Sequence, residues 1–193
     1  MKDIENYIRE HWFKDHKAEL IDLGGVQVLN WKKPGTGVYR VRYVFDGCMM
    51  YISGDIGTAV FWLTWKADVN SFNDKSIGYF SEKLSAFSDE RWDFDTDKAV
   101  KSLREWLNER KKCGKTYDHD EMRELFDDAG NCGSCSEWAE ITHRYEPLIS
   151  KLDQDYWEWF YEIGREYPSR IYGYLIGLKM ASEQLRATEQ VSA

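Results

Sequence analysis

Proline is scarce in this chain, with three in 193 residues, and cysteine nearly as scarce, with four. Cys48, Cys113, Cys132 and Cys135 are too few and too unevenly spaced for a disulfide framework, so they are expected as thiols or as metal ligands. No stretch approaches the roughly 18 consecutive apolar residues of a membrane span, and no transmembrane helix is expected. Residues Met1 to Tyr7 carry acids and amides where a secretory signal needs a basic start and an apolar run, which points to the cytoplasm. Neither an internal repeat nor a low-complexity linker interrupts the chain. A single α+β domain over residues 1–193 is therefore expected, strand-rich over 24–65 and helical over 74–186, because one domain usually spans about 100–150 residues and a cut near residue 67 would split one core. Positive charge is in the minority: 26 Lys and Arg face 34 Asp and Glu, a formal charge of −8. That balance disfavours non-specific adhesion to nucleic acid or anionic lipid and favours approach to a basic protein surface.

Aromatic residues are plentiful, at 16% with nine Trp and twelve Tyr, and such rings serve both cores and interface anchors. Ile4, Tyr7, Ile8, Trp12 and Phe13 recur at helical spacing and predict a leading helix. Val26, Val28, Tyr39, Val41, Tyr43 and Phe45 alternate with polar neighbours, and Asp46-Gly47 signals a hairpin of type I′. With runs at Met49–Ile52 and Thr58–Trp65 this predicts an antiparallel four-stranded meander over about 24–65. The leading helix and four to six later helices should pack with it. Asn73 or Asp74 would cap a helix through Phe87, carrying Ile77, Phe80, Leu84 and Phe87 on one face. Asp95 or Thr96 would cap the next, ending at Cys113-Gly114, and Asp118 a third up to Gly130. A helical stretch interrupted near Pro147 is expected over 134–161, and a last helix after Pro168 through Leu185, with Val191–Ala193 frayed.

Few residues carry an obvious chemistry. Asn131-Cys132-Gly133-Ser134-Cys135 resembles the segment around the nucleophile of papain-like proteases, but Ser136 stands where that family has Trp or Tyr. The family's histidine also lies farther downstream than the residues that follow Cys135. Cys113, His119, Cys132 and Cys135 together would supply three thiolates and an imidazole, the donor set of a closed structural zinc site. His11 and His16 lack the Lys or Tyr that a nuclease pair would use, and Gly54-Asp55-Ile56-Gly57 lacks the lysine of a phosphate loop. Asp153, Asp155, Glu158 and Glu162 alternate with Tyr156, Trp157, Trp159, Phe160 and Tyr161, and on a helix they would set acids beside wide aromatic faces. Asp93 and Asp95 belong to a second acidic run around Trp92 and Phe94. Such surfaces fit a basic groove, and two of them could imitate the charge spacing of a phosphate backbone.

Several strings, among them Tyr39–Tyr43, Ile52–Asp55, Trp62–Trp65, Asp93–Asp97 and Gly177–Ala181, resemble small acidic accessory proteins encoded by phages and prophages of Gram-positive bacteria. The resemblance implies action in the host bacterial cytoplasm. It points to the anti-CRISPR class, which occludes or misassembles RNA-guided nucleases. That class shares no fold, so it assigns no residue here. The expected partner is a basic nucleic-acid-binding protein, favoured as a type II RNA-guided nuclease, held stoichiometrically by Asp153, Asp155, Trp157, Glu158, Trp159, Glu162, Asp93 and Asp95 with no catalytic residue and no cofactor. Two alternatives stay open. One is an enzyme acting on nucleic acid, for example on a guide RNA, through a sheet face bearing Lys32, Lys33, Arg40 and Arg42; the other is a zinc-stabilised adaptor. Exposed aromatic surface would also allow a homodimer.

Overall fold

The computed structural model describes residues 2–192, so the frayed end expected at Val191–Ala193 lies partly outside the described residues. The architecture is α+β, and the contacts cluster into two compact units, Met1–Arg91 with Pro168–Ala193, and Trp92–Tyr167.

The first unit is built on an antiparallel sheet in which each strand pairs with its sequence neighbour: β1 (Lys17–Asp22), β2 (Val26–Lys32), β3 (Val41–Asp46), β4 (Met49–Gly54), β5 (Ala59–Trp62) and β6 (Leu84–Phe87). The meander thus has six strands where the sequence predicts four. β1 is an edge strand whose inward side holds only Ala18 and Leu20, too short a pattern to stand out. β6 falls where a helix is predicted. Ile77, Phe80, Leu84 and Phe87 do fit the helical period, yet the helix α2 (Ile77–Glu82), capped by Ser76, stops, and Leu84 and Phe87 instead pair with Phe61 and Ala59. The unpaired edge of β5 outweighs the local periodicity. At the β3–β4 hairpin Asp46 pairs with Met49, so the loop is Gly47-Cys48, with φ positive only at Gly47. That is the pattern of type II′ rather than the expected I′.

Period-two alternation sends Trp31, Leu29, Val41, Tyr43, Phe45, Met50, Ile52 and Phe61 to one face, where they form the first core with α1 (Lys2–Tyr7), the π-turn Ile8–Trp12 that continues it, and the long last helix. Ala67 lies in the same core. The last helix, α7 (Ser169–Ser192), packs on β1 and β2. It approaches closely because Gly177 has no side chain: a Cβ there would lie 2.8 Å from the Tyr43 hydroxyl. That hydroxyl donates to the Tyr174 carbonyl at 2.8 Å, and the Tyr174 hydroxyl donates to the Ile56 carbonyl at 3.0 Å. Burial of both phenols pushes their ionisation upward, Tyr174 to about 12.

The second unit is a helical cluster: α3 (Thr96–Lys112), α4 (His119–Asn131), α5 (Cys135–Arg144) and α6 (Glu146–Leu152), flanked by the short pair β7 (Asp93–Phe94) and β8 (Arg165–Glu166). Its caps follow the sequence. Asp95, Asp118 and Ser134 each accept backbone N–H bonds at a helix start, α3 ends at Cys113-Gly114, and Pro147 opens α6 in its first turn. Two N–H donors hold the Asp118 carboxyl below the ordinary carboxylate range. Trp138 is fully buried at the centre of this core. Its indole N–H donates to the Phe160 carbonyl at 2.8 Å and its ring stacks on Phe160 at 5.6 Å.

Candidate functional site

The predicted acidic and aromatic segment does not form a helix. Asp153 leaves α6 with φ −143°, and the chain then makes two 3₁₀ turns, Tyr156–Glu158 and Phe160–Glu162, joined by Trp159 at φ −141°. Tyr156 and Phe160 turn into the core together with Ile163. The Tyr156 hydroxyl donates to Glu146 at 2.8 Å, and this bond to a carboxylate pushes its ionisation up to about 12.

The segment therefore divides by role. Asp153 is partly buried, accepting from the Trp106 indole at 3.3 Å and lying 3.8 Å from the Arg110 guanidinium. Trp159 is half-buried against Trp106, with centroids 6.4 Å apart. Asp155, Trp157 and Glu158 face solvent, and Trp157 is 62% exposed. Glu162 is also exposed and lies 3.3 Å from Arg165. Asp93 and Asp95 are brought near this last acid, because the Asp95 N–H donates to the Gly164 carbonyl at 2.8 Å while Asp93 pairs across the ladder with Glu166. Burial, then the negative charge of Asp95, raises the Glu166 carboxyl above its ordinary range.

Beside Asp153 and Trp159 lies an open depression of about 360 Å³ whose other wall is one face of α3: Ser102, Glu105, Trp106, Glu109 and Arg110. Glu105 and Glu109 were not singled out in the sequence, although their four-residue spacing with Trp106 between them is the signal that places them on one helical face. Charge is distributed in the same sense. Residues 92–167 hold 19 acids and 11 bases, so the entire net charge of −8 resides in the second unit, while the first, with 15 of each, is neutral.

The four basic residues of the alternative surface belong to the neutral unit. Lys32 and Arg42 point to the outward face of the sheet, whereas Lys33 and Arg40 occupy the β2–β3 loop. Lys33 bonds Asp15 at 2.7 Å and Lys32 lies 3.8 Å from Glu19, so half of the expected basic face is already neutralised. The loop itself is pinned: Tyr39 takes φ +54°, its N–H bonding Asp55 at 2.7 Å, and its carbonyl lies 3.2 Å from Nε2 of the buried His16.

The zinc set is not assembled. Among the described residues no three of His, Cys, Asp or Glu are grouped to hold a metal ion. Cys113 is exposed at the end of α3, His119 opens α4 with its ring against Tyr117, and Cys132 is buried with its thiol toward the Ser134 carbonyl at 3.3 Å. Cys135 opens α5 with its sulfur 3.6 Å from the Asp93 carbonyl. Cys132 and Cys135 remain neighbours, but Cys113 and His119 do not complete a set with them. Burial pushes the Cys132 thiol up, away from the thiolate that both metal binding and nucleophilic attack require.

Fold and charge together define an α+β protein with one neutral, sheet-bearing unit and one acidic helical unit, and among the described residues no helix is long and apolar enough to cross a membrane. Residues 49–185 match the model of a phage family, Phage_phiTE_072, and the chain belongs to that family. No curated protein and no solved structure matches it.

Proposed function

We propose that this protein is a stoichiometric inhibitor of a host nucleic-acid-targeting defence nuclease, in the first instance a type II RNA-guided effector, acting in the host bacterial cytoplasm. Its acidic unit docks in the basic channel that the nuclease keeps for nucleic acid. The observation that carries this reading is the concentration of all the excess negative charge in residues 92–167, around an exposed Trp157 flanked by Asp155 and Glu158. An aromatic anchor inside a field of one sign is the arrangement that gives fast, steered association and a desolvated contact. Membership of a phage family supports a role exercised against a bacterial host.

The test is cleavage of target DNA by a purified type II effector, titrated with this protein while the guide RNA is followed on a denaturing gel. Loss of cleavage at equimolar protein with intact guide is the expected result. The double variant Asp155→Lys with Glu158→Lys should slow association at low salt, with Trp157→Ala chiefly speeding dissociation. Shortened guide at sub-stoichiometric protein would replace occlusion with catalysis. Undiminished cleavage at about tenfold excess, with the protein at about 10 µM so that any complex tighter than micromolar is filled, would overturn this target.

A further inference from the structure

The sheet of the first unit has a second face. Strand alternation and the register align one outward residue from every strand in a single row, Ile21, Val28, Val44, Tyr51, Val60 and Ala86. A neighbouring row adds Val26, Met49 and Trp62, with Leu23 at the margin. None of these residues belongs to the core on the opposite face. Ile21 and Tyr51 are about 40% exposed, and Leu23 and Trp62 67% exposed, so four of the largest exposed apolar side chains in the protein lie on or beside one patch. A half-buried antiparallel sheet ordinarily turns polar residues outward, and a contiguous apolar face of this kind marks a contact surface.

We infer that this face is the dimer interface of the protein, its occupant a second copy of the same sheet. The argument is the charge pattern. Along β3 the outward residues are Arg42, Val44 and Asp46, and among the described residues neither Arg42 nor Asp46 has an ion-pair partner. A two-fold axis running along the apolar row stacks the row on itself. It also reverses the strands, which places Arg42 of one copy over Asp46 of the other, twice by symmetry. The same face offers a shallow recess lined by Thr58, Val60 and Ala86 beside Tyr51, into which the ring of the second copy can settle when the sheets cross at the usual angle of about 30°. Six strands at about 4.8 Å spacing, over the length of three outward rows, cover roughly 500 Å² per copy, and the total of about 1,000 Å² reaches the lower bound of specific interfaces.

The experiment is the solution mass of the full chain by light scattering and sedimentation at about 50 µM, which populates any dimer with a micromolar or tighter Kd. Twice 22.8 kDa is expected. Val44→Asp should give a monomer with an unchanged circular dichroism spectrum. Arg42→Asp and Asp46→Arg should each weaken the dimer about tenfold, and the double exchange should restore it. A monomeric wild type, or a dimer indifferent to Val44→Asp and to both single reversals, overturns the inference. Asp155→Lys with Glu158→Lys, on the other unit, should leave the mass unchanged, so loss of nuclease inhibition and loss of dimerisation are read separately.

Discussion

Replacing Trp138 by Phe removes one buried donor and part of one ring from the core of the second unit. The Trp138 indole N–H is the donor that reaches the Phe160 carbonyl, at 2.8 Å and in a fully buried setting. Leaving that carbonyl without its partner costs about 1–2 kcal/mol. The smaller ring leaves a void of roughly 40 Å³, and at about 24 cal/mol per Å³ this adds about 1 kcal/mol. The sum, about 2–3 kcal/mol, is large beside the roughly 4–11 kcal/mol expected for a unit of that length. Urea unfolding at 25 °C, followed by circular dichroism, measures the loss directly, and hydrogen exchange read by mass spectrometry locates it. Because Trp138 and the sheet belong to separate hydrophobic clusters, amides within 92–167 should lose protection while those of β2 to β4 change little. A loss below about 1 kcal/mol would refute the account of the buried donor. Equal loss of protection in the sheet would refute the separation of the two cores.

Two further outcomes follow from particular residues. Gly54 has φ +154°, and a Cβ there would sit 2.0 Å from the Arg40 carbonyl oxygen, which is backbone and cannot yield, so Gly54→Ala should open the end of the β3–β4 pair and cost several kcal/mol, about 3 or more, in thermal unfolding. His16 is buried beside Phe13 and Trp31, and burial lowers its ionisation below the ordinary 6.5. A base whose folded pKa lies below its unfolded value stabilises fully above the unfolded value and loses that contribution as pH falls. Stability of the first unit should therefore begin to decline as pH drops below about 6.5, before the carboxylates titrate, and His16→Gln should flatten that part of the profile.

Much of the architecture was readable because it rests on local rules. Asp95 and Asp118 cap helices through their own side chains, and Val41–Phe45 alternates strictly, as a strand half-buried on one side must. What escaped depends on distant partners. Leu84 and Phe87 satisfy a helical spacing, yet the edge of β5 takes them into the sheet, and Lys17–Asp22 becomes a strand only because β2 is there to pair with it. At the candidate site the expected helix is absent, the segment making two 3₁₀ turns instead. Asp155, Trp157 and Glu158 are exposed, whereas Asp153 is drawn inward by Trp106 and Arg110, a contact across some forty residues that no local pattern reveals. Of the proposed zinc ligands only Cys132 and Cys135 had a common ligand spacing, and among the described residues no three of the four are grouped to hold a metal ion.

The position of the acidic unit between β6 and α7 also sets an order of biosynthesis. A ribosome delivers the six strands first, with Trp31, Tyr43 and Phe45 lacking the helix that will cover them, then all of residues 92–167, and only afterwards Tyr174 and Leu178 of α7. At about 5–20 residues per second the sheet waits roughly 5–20 s for that cover, long enough for the inserted unit to fold on its own schedule and for chaperones to meet the open face. A translational stop shortly after Tyr167 would thus release a chain whose acidic half is complete and whose other half cannot close.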